Sequence, residues 1–378
     1  MARLGDIATY INGYAFKPDD WSDTGLPIIR IQDLTGNAYQ ANRYNGDYNK
    51  KYEVVGGDVL ISWSASLGVY IWQGEKALLN QHIFKVVFDK ELVNKSFFVY
   101  QVQNILGNAA SEAHGATMKH LTKPVFDALP FYLPPLDKQN QIAVVLDKVS
   151  NLTALRKQQL EKLDELVKAR FVEMFGDMVL NPLNWPEVPL ETMSDIVSGI
   201  TKGRKTREST LTEVPYMAVS NVKDGYIDWT TVKTIQATDL EIKQYRLQSN
   251  DILMTEGGDP DKLGRGAIIK EPPNNCIHQN HVFRVRLNQE IILPEFFSEY
   301  LQQQKSKQYF LQCAKQTTGI ASINMKQLRS LPVLLPPIEK QYLFVTFVEA
   351  LQKCKLTIQR GLDKLEMMKK ALVQEYFG

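Results

Sequence analysis

The segment Pro134-Pro135-Leu136-Asp137-Lys138-Gln139 recurs near the end of the chain as Pro336-Pro337-Ile338-Glu339-Lys340-Gln341, with an identical or chemically similar residue at every position. The match continues without a gap. Leu160, Lys162, Leu163, Lys168, Ala169, Glu173, Phe175 and Gly176 reappear as Leu362, Lys364, Leu365, Lys370, Ala371, Glu375, Phe377 and Gly378. Self-similarity at a constant offset indicates a duplicated structural unit. We therefore predict that the chain consists of two equivalent halves.

The regions upstream of these segments also correspond, with the small insertions that surface loops permit. The paired stretches are 5–8 with 194–197, 27–31 with 215–219, 58–62 with 251–255, and 80–86 with 279–285. They contain short apolar and β-branched runs bounded by Gly, Asn and Asp, a pattern typical of strands joined by tight turns. Each half is therefore predicted to begin with a mixed α+β domain.

The second part of each half is predicted to be one long helix, because its apolar residues recur at spacings of three and four. A helix from about Asp137 to Met174 would be roughly 55 Å long, which is too long for a compact core. Arg156, Gln159 and Arg170 interrupt the first apolar stripe and Gly361 interrupts the second. We expect the two helices to pair with each other within the chain; a homo-oligomeric coiled coil is the alternative.

The apolar members of the two stripes are predicted to form this helix pair and the subunit interface. They are Ile142, Val145, Val149, Leu152, Leu163 and Leu166 in the first helix, and Phe344, Phe347, Leu351, Ile358, Leu365 and Met368 in the second.

The repeat also predicts the boundaries. A first domain spans 1–133, a spacer helix 134–176, a linker 177–190, a second domain 191–335 and a second spacer helix 336–378. The predicted fold class is α+β: two similar mixed domains separated by two long antiparallel helices, in a pseudo-two-fold repeat.

Composition excludes little by itself. The 44 Lys and Arg residues against 42 Asp and Glu give a net charge of only +2, so positive charge for a nucleic acid would have to be local, as in the stretch 202–207. With 44% hydrophobic residues, the chain has the composition of a globular protein.

The sequence has no apolar run of membrane-spanning length and no signal-peptide pattern, so we expect the protein to be located in the cytoplasm. Cys276, Cys313 and Cys354 are too far apart to predict a disulfide framework.

The patterns that suggest catalysis or metal binding are weak. Cys276, His278 and His281 have zinc-ligand chemistry, but the other half has Ala77, Leu79 and His82 at these positions. We therefore predict no metal site, and interpret His82 and His281 as a shared structural or DNA-facing position. The Leu-Pro-Pro-Leu segment 133–136 lacks the polar first residue of the corresponding adenine-methyltransferase loop. No Gly-rich dinucleotide or P-loop motif is present, so we predict a protein that is not an enzyme.

The combination of LPPLDKQNQI at 133–142, a helix ending in Phe175-Gly176-Asp177, NWP at 184–186 and a second such unit resembles the specificity subunit of type I restriction-modification systems. The resemblance covers essentially the whole chain. It implies that each domain reads one half of a bipartite asymmetric site, that the helices set the distance between the halves, and that they dock modification subunits. The implied partners are double-stranded DNA, two modification (methyltransferase) subunits and restriction subunits. S-adenosylmethionine, ATP and magnesium are expected on those partners, and no cofactor on this chain.

Candidate DNA contacts are polar residues in loops between the predicted strands, because Arg and Lys suit guanine, Asn and Gln suit adenine, and Ser and Thr suit either base. In the first domain they are Arg30, Gln32, Ser62, Ser64, Gln81, His82, His114 and Lys119, with Lys17 on phosphate. In the second they are Arg204, Lys205, Arg207, Asn221, Thr255, Arg265, Asn280, His281, Asn324 and Lys326.

Three alternatives remain open at this point. The first alternative is the specificity subunit of a type IIB-like system with a fused nuclease-methylase partner. The second is a two-domain coiled-coil scaffold that binds protein, and the third is a stand-alone adenine methyltransferase. The last requires an S-adenosylmethionine loop that we do not find. Steep salt dependence of DNA binding separates a DNA-binding subunit from a protein scaffold.

Overall fold

The computed structural model of the chain describes residues 1–36, 42–64, 66–112, 122–205, 210–259, 263–317 and 320–378. The chain divides into two compact units. Unit 1 comprises 1–158 and 359–378, and unit 2 comprises 159–358. Each unit thus contains one mixed domain, the first part of the long helix that follows it, and the last part of the other long helix.

Unit 1 is built on two four-stranded sheets and a further antiparallel pair of strands. The strands are β1 (Ala2–Arg3), β2 (Thr9–Asn12), β3 (Leu26–Ile29), β4 (Arg43–Tyr44), β5 (Glu53–Val54), β6 (Val59–Ser62), β7 (Gly68–Ile71), β8 (Ala77–Leu79), β9 (Ile83–Val87) and β10 (Pro130–Phe131). The antiparallel sheet has the order β2-β9-β6-β7, and the second sheet has the order β4-β3-β8-β5, in which β3 and β8 are parallel. The strands β1 and β10 form the further antiparallel pair. The helices are α1 (Leu4–Ile7), α2 (Ile31–Leu34), α3 (Lys95–Glu112), α4 (Lys123–Asp127) and α5 (Leu136–Phe175), of which α5 continues into unit 2.

Unit 2 repeats this plan. Its strands are β11 (Glu187–Pro189), β12 (Ser194–Ser198), β13 (Thr212–Met217), β14 (Lys233–Ala237), β15 (Ile252–Thr255), β16 (Gly257–Gly258), β17 (Gly266–Ile268), β18 (Ile277–His278), β19 (Val282–Leu287), β20 (Lys315–Thr317), β21 (Ile320–Ser322) and β22 (Pro332–Leu334). Its helices are α6 (Asp239–Tyr245), α7 (Pro294–Gln302), α8 (Gln304–Cys313), α9 (Met325–Arg329) and α10 (Ile338–Phe377), which ends in unit 1. The order β12-β19-β15-β17 matches that of the antiparallel sheet of unit 1, and the order β14-β13-β18 matches the strands β4-β3-β8 of its second sheet. The predicted fold class and internal repeat are confirmed.

A close backbone contact recurs in both units, directly after the first strand of the antiparallel sheet. A Cβ atom on Gly13 would lie 2.0 Å from the carbonyl oxygen of Asn80, and one on Gly199 would lie 2.0 Å from that of His278. Only glycine allows two backbone segments to approach this closely. The two glycines therefore hold the turns before β9 and β19 in the same place in each unit.

The repeated Pro-Pro-x-x-Lys-Gln segment connects each long helix to its domain through a buried glutamine. In unit 1, Gln139 Oε1 accepts from the backbone N–H of Asn94 at 3.0 Å, and Nε2 donates to the Pro134 carbonyl at 2.8 Å. In unit 2, Gln341 Oε1 accepts from the N–H of Leu293 at 2.9 Å, and Nε2 donates to the Pro336 carbonyl at 2.9 Å. A buried amide that satisfies backbone groups on both elements fixes the angle between them, which explains why the motif occurs twice.

Within each unit, the start of one long helix packs against the end of the other, so the helices are antiparallel. In unit 1, Ile142 and Leu146 belong to the same core as Phe377, and Lys157 pairs with Glu366 at 2.9 Å. In unit 2, the ring of Phe344 lies 5.4 Å from that of Phe171. None of the helices in the described part of the chain combines the length and apolar character needed to cross a membrane.

The structure corrects the predicted pairing face at four exposed positions, which remain predicted members of the subunit interface: Val145, Leu152, Leu166 and Met368. Other members of the predicted set are buried or partly buried: Ile142, Val149, Leu163, Phe344, Phe347, Leu351, Ile358 and Leu365. The buried face of α5 includes Leu146 and Val167 instead of their predicted neighbours. Adjacent helical residues differ by about 100° around the axis, so an apolar pair such as 145–146 leaves the buried member undecided.

Glu299, on α7 of unit 2, is a partly buried carboxylate. Its pKa is raised to about 7, mainly by burial and with a smaller contribution from Asp164, although Lys168 and the Nε2–H of Gln303, 3.2 Å from Oε1, favour the charged form. The equivalent place in unit 1 holds Tyr100, whose hydroxyl donates to Asp147 at 2.8 Å. The two units therefore place different chemistry at this position of the domain.

Replacing Glu299 by Gln is expected to stabilise unit 2 at pH 8 by about 1–2 kcal/mol, after allowance for solvent screening, and to change little at pH 5. The folded-state pKa is raised, so the stability linked to this carboxyl is present below its ordinary value of 4.5 and is lost as pH rises through about 7. Denaturant unfolding at both pH values measures the effect. Glu290→Gln, at an exposed position of the same unit, is the matched control, and a stabilisation independent of pH would contradict the assignment.

Candidate nucleic-acid interface

The four-stranded antiparallel sheet of each unit, β2-β9-β6-β7 or β12-β19-β15-β17, has two ends. One end lies next to the start of a long helix, and the opposite end carries polar turns. We call the opposite end the distal end. In unit 1 it consists of residues 12–14, 62–64 and 81–83, and in unit 2 of residues 198–200, 255–256 and 280–282. Because three neighbouring strands begin or end there, side chains from distant parts of the sequence come together.

In unit 1, the distal end is organised around an indole ring. The Nε1–H of Trp63 donates to Asn12 Oδ1 at 3.2 Å, and the ring of His82 lies 4.9 Å from the indole in an edge contact. Phe84 stacks at 5.6 Å. His82 has a positive φ of 71°, which is unusual for a residue other than glycine and reflects the tight turn into β9.

In unit 2, the distal end is organised around the contact between a histidine and a glutamate. His281 Nδ1 lies 2.5 Å from Glu256 Oε2, and the two side chains are 56% and 33% exposed. Asn280 Nδ2 lies 3.3 Å from His281 Nε2, and the hydroxyl of Ser198 donates to the Asn280 carbonyl at 2.6 Å. The pair is therefore held in position and accessible to a ligand.

Several of the predicted contact residues lie at the distal ends. Gln81, His82 and Ser64 do so in unit 1, although Ser64 is buried. In unit 2, Asn280, His281, Arg265 and Asn324 lie there. The carbonyl of Arg265 accepts from the N–H of Thr255 at 3.2 Å. Asn324 directly follows Ile323, whose N–H donates to the carbonyl of Glu256. The fold thus brings together residues that the sequence places far apart.

Other predicted residues lie away from the distal ends. Arg30 follows β3, with its guanidinium 5.5 Å from the ring of Trp21, and Gln32 lies on α2. Arg204 is paired with Glu241, and this hydrogen bond raises the pKa of its guanidinium. The remaining lysines, Lys17, Lys205 and Lys326, are exposed.

Burial removes Ser62, Asn221 and Thr255 from the predicted contact set. The hydroxyl of Ser62 donates to the Ser66 carbonyl, and the amide of Asn221 accepts from Ala218 N–H at 2.9 Å and donates to the Asp228 carbonyl at 3.0 Å. Thr255 is 1% exposed. The three side chains have no surface left for a base. His114, Lys119 and Arg207 lie outside the described residues.

The candidate zinc ligands are not grouped. Burial raises the pKa of the Cys276 thiol to about 12 and lowers the pKa of His278 to about 4, and His278 Nδ1 lies 2.7 Å from the Val282 carbonyl. Across the part of the chain that the structure describes, no cluster of three or more His, Cys, Asp or Glu side chains could hold a metal ion.

Trp63 and Glu256 were not among the sequence-predicted contacts. Their signal was present in the repeat, since each directly follows one of the aligned stretches 58–62 and 251–255. Tryptophan and glutamate carry neither the amide, the guanidinium nor the hydroxyl group from which most base contacts are predicted.

Comparison with known proteins shows matches along the whole chain. A family model described as type I restriction modification DNA specificity domain matches twice, at residues 1–165 and 182–367. The chain is 27% identical over 376 residues to the specificity subunit of the type I restriction enzyme EcoBI from Escherichia coli, covering 92% of this chain and 78% of the relative. It is 24% identical to the specificity subunit of the type I restriction enzyme MjaVIII from Methanocaldococcus jannaschii, covering 99% and 90%.

The fold is also similar to solved structures. The S subunit of a type I restriction-modification system from M. genitalium aligns with a TM-score of 0.57 at 14% identity, over 100% of this chain and 95% of that chain. A chain from a structure that addresses complex assembly and conformational transition of the type I R-M system aligns with the same TM-score at 15% identity, over 100% and 96%. At these identities the likeness concerns the fold.

Proposed function

Because this chain belongs to the family of type I restriction-modification DNA specificity subunits, we propose that its two domains each read one half of a bipartite asymmetric DNA site. The observation that carries the proposal is the double match of the family model, once to each half of the repeat. Two domains of the same topology with different distal-end side chains present different surfaces to DNA. An asymmetric target follows from that difference. The type IIB-like and scaffold alternatives are not favoured.

We propose the distal ends as the base-reading surfaces, with positively charged residues elsewhere on each domain contacting phosphate. Side chains that read bases must reach the groove edges, whereas Lys and Arg around them supply most of the salt-dependent affinity. The proposed set contains Gln81 and His82, with Lys17, Arg30 and Gln32, in unit 1. In unit 2 it contains Arg265, Asn280, His281 and Asn324, with Lys205 and Lys326.

The chain supplies recognition, and partner subunits supply the chemistry. We propose that two modification subunits, one for each unit, bring S-adenosylmethionine, and that restriction subunits with ATP and magnesium join them in the cytoplasm. Exposed apolar residues on the long helices support a protein partner there: Leu152 and Leu155 on α5 in unit 1, and Leu343 and Leu356 on α10 in unit 2. Apolar side chains in water on a long helix are typical of a docking surface.

The test is to co-express the chain with its modification subunits in a host that lacks other methyltransferases and to map methylated bases by sequencing. We expect a single bipartite site with two unrelated halves, and no methylation when the chain is omitted. The purified chain alone is expected neither to methylate nor to cut DNA. Turnover by the chain alone, or the same methylation pattern without it, would overturn the proposal.

The docking surface has its own test. The double variant Leu152→Lys, Leu155→Lys is expected to weaken binding of a modification subunit by about 10-fold or more, because two charges replace apolar contact area. The fold should be unaffected, since both side chains are exposed. Asn151→Lys with Gln158→Lys, at exposed polar positions of the same helix, is the control for added charge. Equal losses in both double variants would show that charge, and not this surface, determines binding.

A further inference from the structure

Trp63 and Glu256 occupy the same place in the two domains. Trp63 is the residue after β6, and its backbone N–H donates to the carbonyl of His82 at 3.2 Å. Glu256 is the residue after β15, and its N–H donates to the carbonyl of His281 at 3.0 Å. The two side chains therefore leave the backbone from equivalent points on equivalent frames, each beside a histidine.

The chemistry at this shared place is opposite in the two units. The only N–H of the Trp63 side chain is directed to Asn12 and its ring lies against His82 and Phe84, so what it can offer a ligand is apolar ring surface. Glu256 offers a carboxylate that is one-third exposed, with Oε2 held by His281. A carboxylate accepts hydrogen bonds and cannot donate them.

A carboxylate on a DNA-binding surface is repelled by the phosphates, so it is favourable only where a hydrogen bond from a base offsets that repulsion. In the major groove, acceptor-only side chains match the exocyclic amino group, above all N4 of cytosine, and fail against the carbonyl oxygens of guanine and thymine. Apolar side chains match the thymine methyl group. His281 holds the carboxylate in one orientation through the contact between its Nδ1 and Oε2 of Glu256.

We propose that Glu256 selects a base whose exocyclic amino group lies in the major groove, at one position of the second half-site. Trp63 selects the thymine methyl group at one position of the first half-site. His281 and His82 act as the positioning residues. This inference rests on the proposed function of the two domains as readers of separate half-sites.

The experiment uses the full chain with its modification subunits and maps the methylated sequences. Two variants test Glu256: Glu256→Ala and the isosteric Glu256→Gln. Both are expected to raise the methylation of sites with other bases at one position of the second half-site by about 10-fold, relative to methylation of the wild-type site. The base preference at the first half-site should not change. Trp63→Ala and Trp63→Phe should give the reverse: relaxation at one position of the first half-site, stronger for alanine.

The histidines are tested by the same base preference. His281→Ala is expected to relax the position that Glu256→Ala relaxes, and the double variant should add little to the single ones, because both act on one contact. Glu290→Gln, exposed and away from the distal end, is the control and should keep the wild-type site. A uniform fall in methylation with unchanged base preference, or relaxation in the wrong half-site, overturns the inference. Failure of the wild-type chain to direct methylation at all would instead overturn the proposed function.

Discussion

Replacing Phe344 by alanine is expected to lower the free energy of unfolding of unit 2 by about 3–5 kcal/mol. The ring is fully buried, 5.4 Å from Phe171 and 5.6 Å from Phe175, and these two also contact Phe296 of α7. The start of α10, the end of α5 and the recognition domain therefore meet at this one side chain. Removing it leaves a cavity that the long helices, held at both ends, cannot close.

Denaturant unfolding of the purified chain measures this loss. Leu343→Ala is the matched control, because the neighbouring side chain is 64% exposed and its removal should cost less than about 0.5 kcal/mol. If the two variants lost equal stability, the aromatic cluster would not be what joins the helices to the domain. A loss of stability in Phe344→Ala should also reduce methylation at both half-sites, since the second domain would no longer be held in place.

A chain ending at Gly176 is expected to form a homodimer that directs methylation to a palindrome made of the first half-site and its inverted copy. In the full chain, the start of α5 is covered by Val373, Tyr376 and Phe377 from the end of α10. The repeat places Phe171, Met174 and Phe175 of α5 at the equivalent positions. A second copy can therefore supply the missing cover, and the pair must have two-fold symmetry.

Sedimentation of the shortened chain and methylation mapping with modification subunits test this expectation. Arg170 replaces Leu372 in the dimer, so dimerisation should require a higher protein concentration. In the shortened chain, Phe171→Asp should prevent the dimer, whereas the exposed neighbour change Glu173→Gln should not. Methylation of the original asymmetric site, or a chain that stays monomeric at high concentration, would show that the halves are not interchangeable.

The sequence by itself determined the architecture of this protein. Two copies of Pro-Pro-x-x-Lys-Gln followed by matching apolar periodicity predicted two domains and two long helices, and the structure has α5 and α10 where the repeat placed them. Repeats, turn residues and helical periodicity are local signals, so they can be read along the chain without knowing what packs against what. The resemblance to specificity subunits rested on the same local motifs.

Only the tertiary structure decided which members of these patterns face a partner and which are buried. It buried Ser62 and Asn221, which the sequence shows only as polar loop residues, and it turned Leu146 of α5, not Val145, toward the core. It also placed Glu256 beside His281 and Trp63 beside Asn12. Each of these outcomes depends on contacts between residues far apart in the chain. The free energy of these contacts comes from packing and hydrogen bonds between separate helices and strands, and a local pattern of residue types does not predict it.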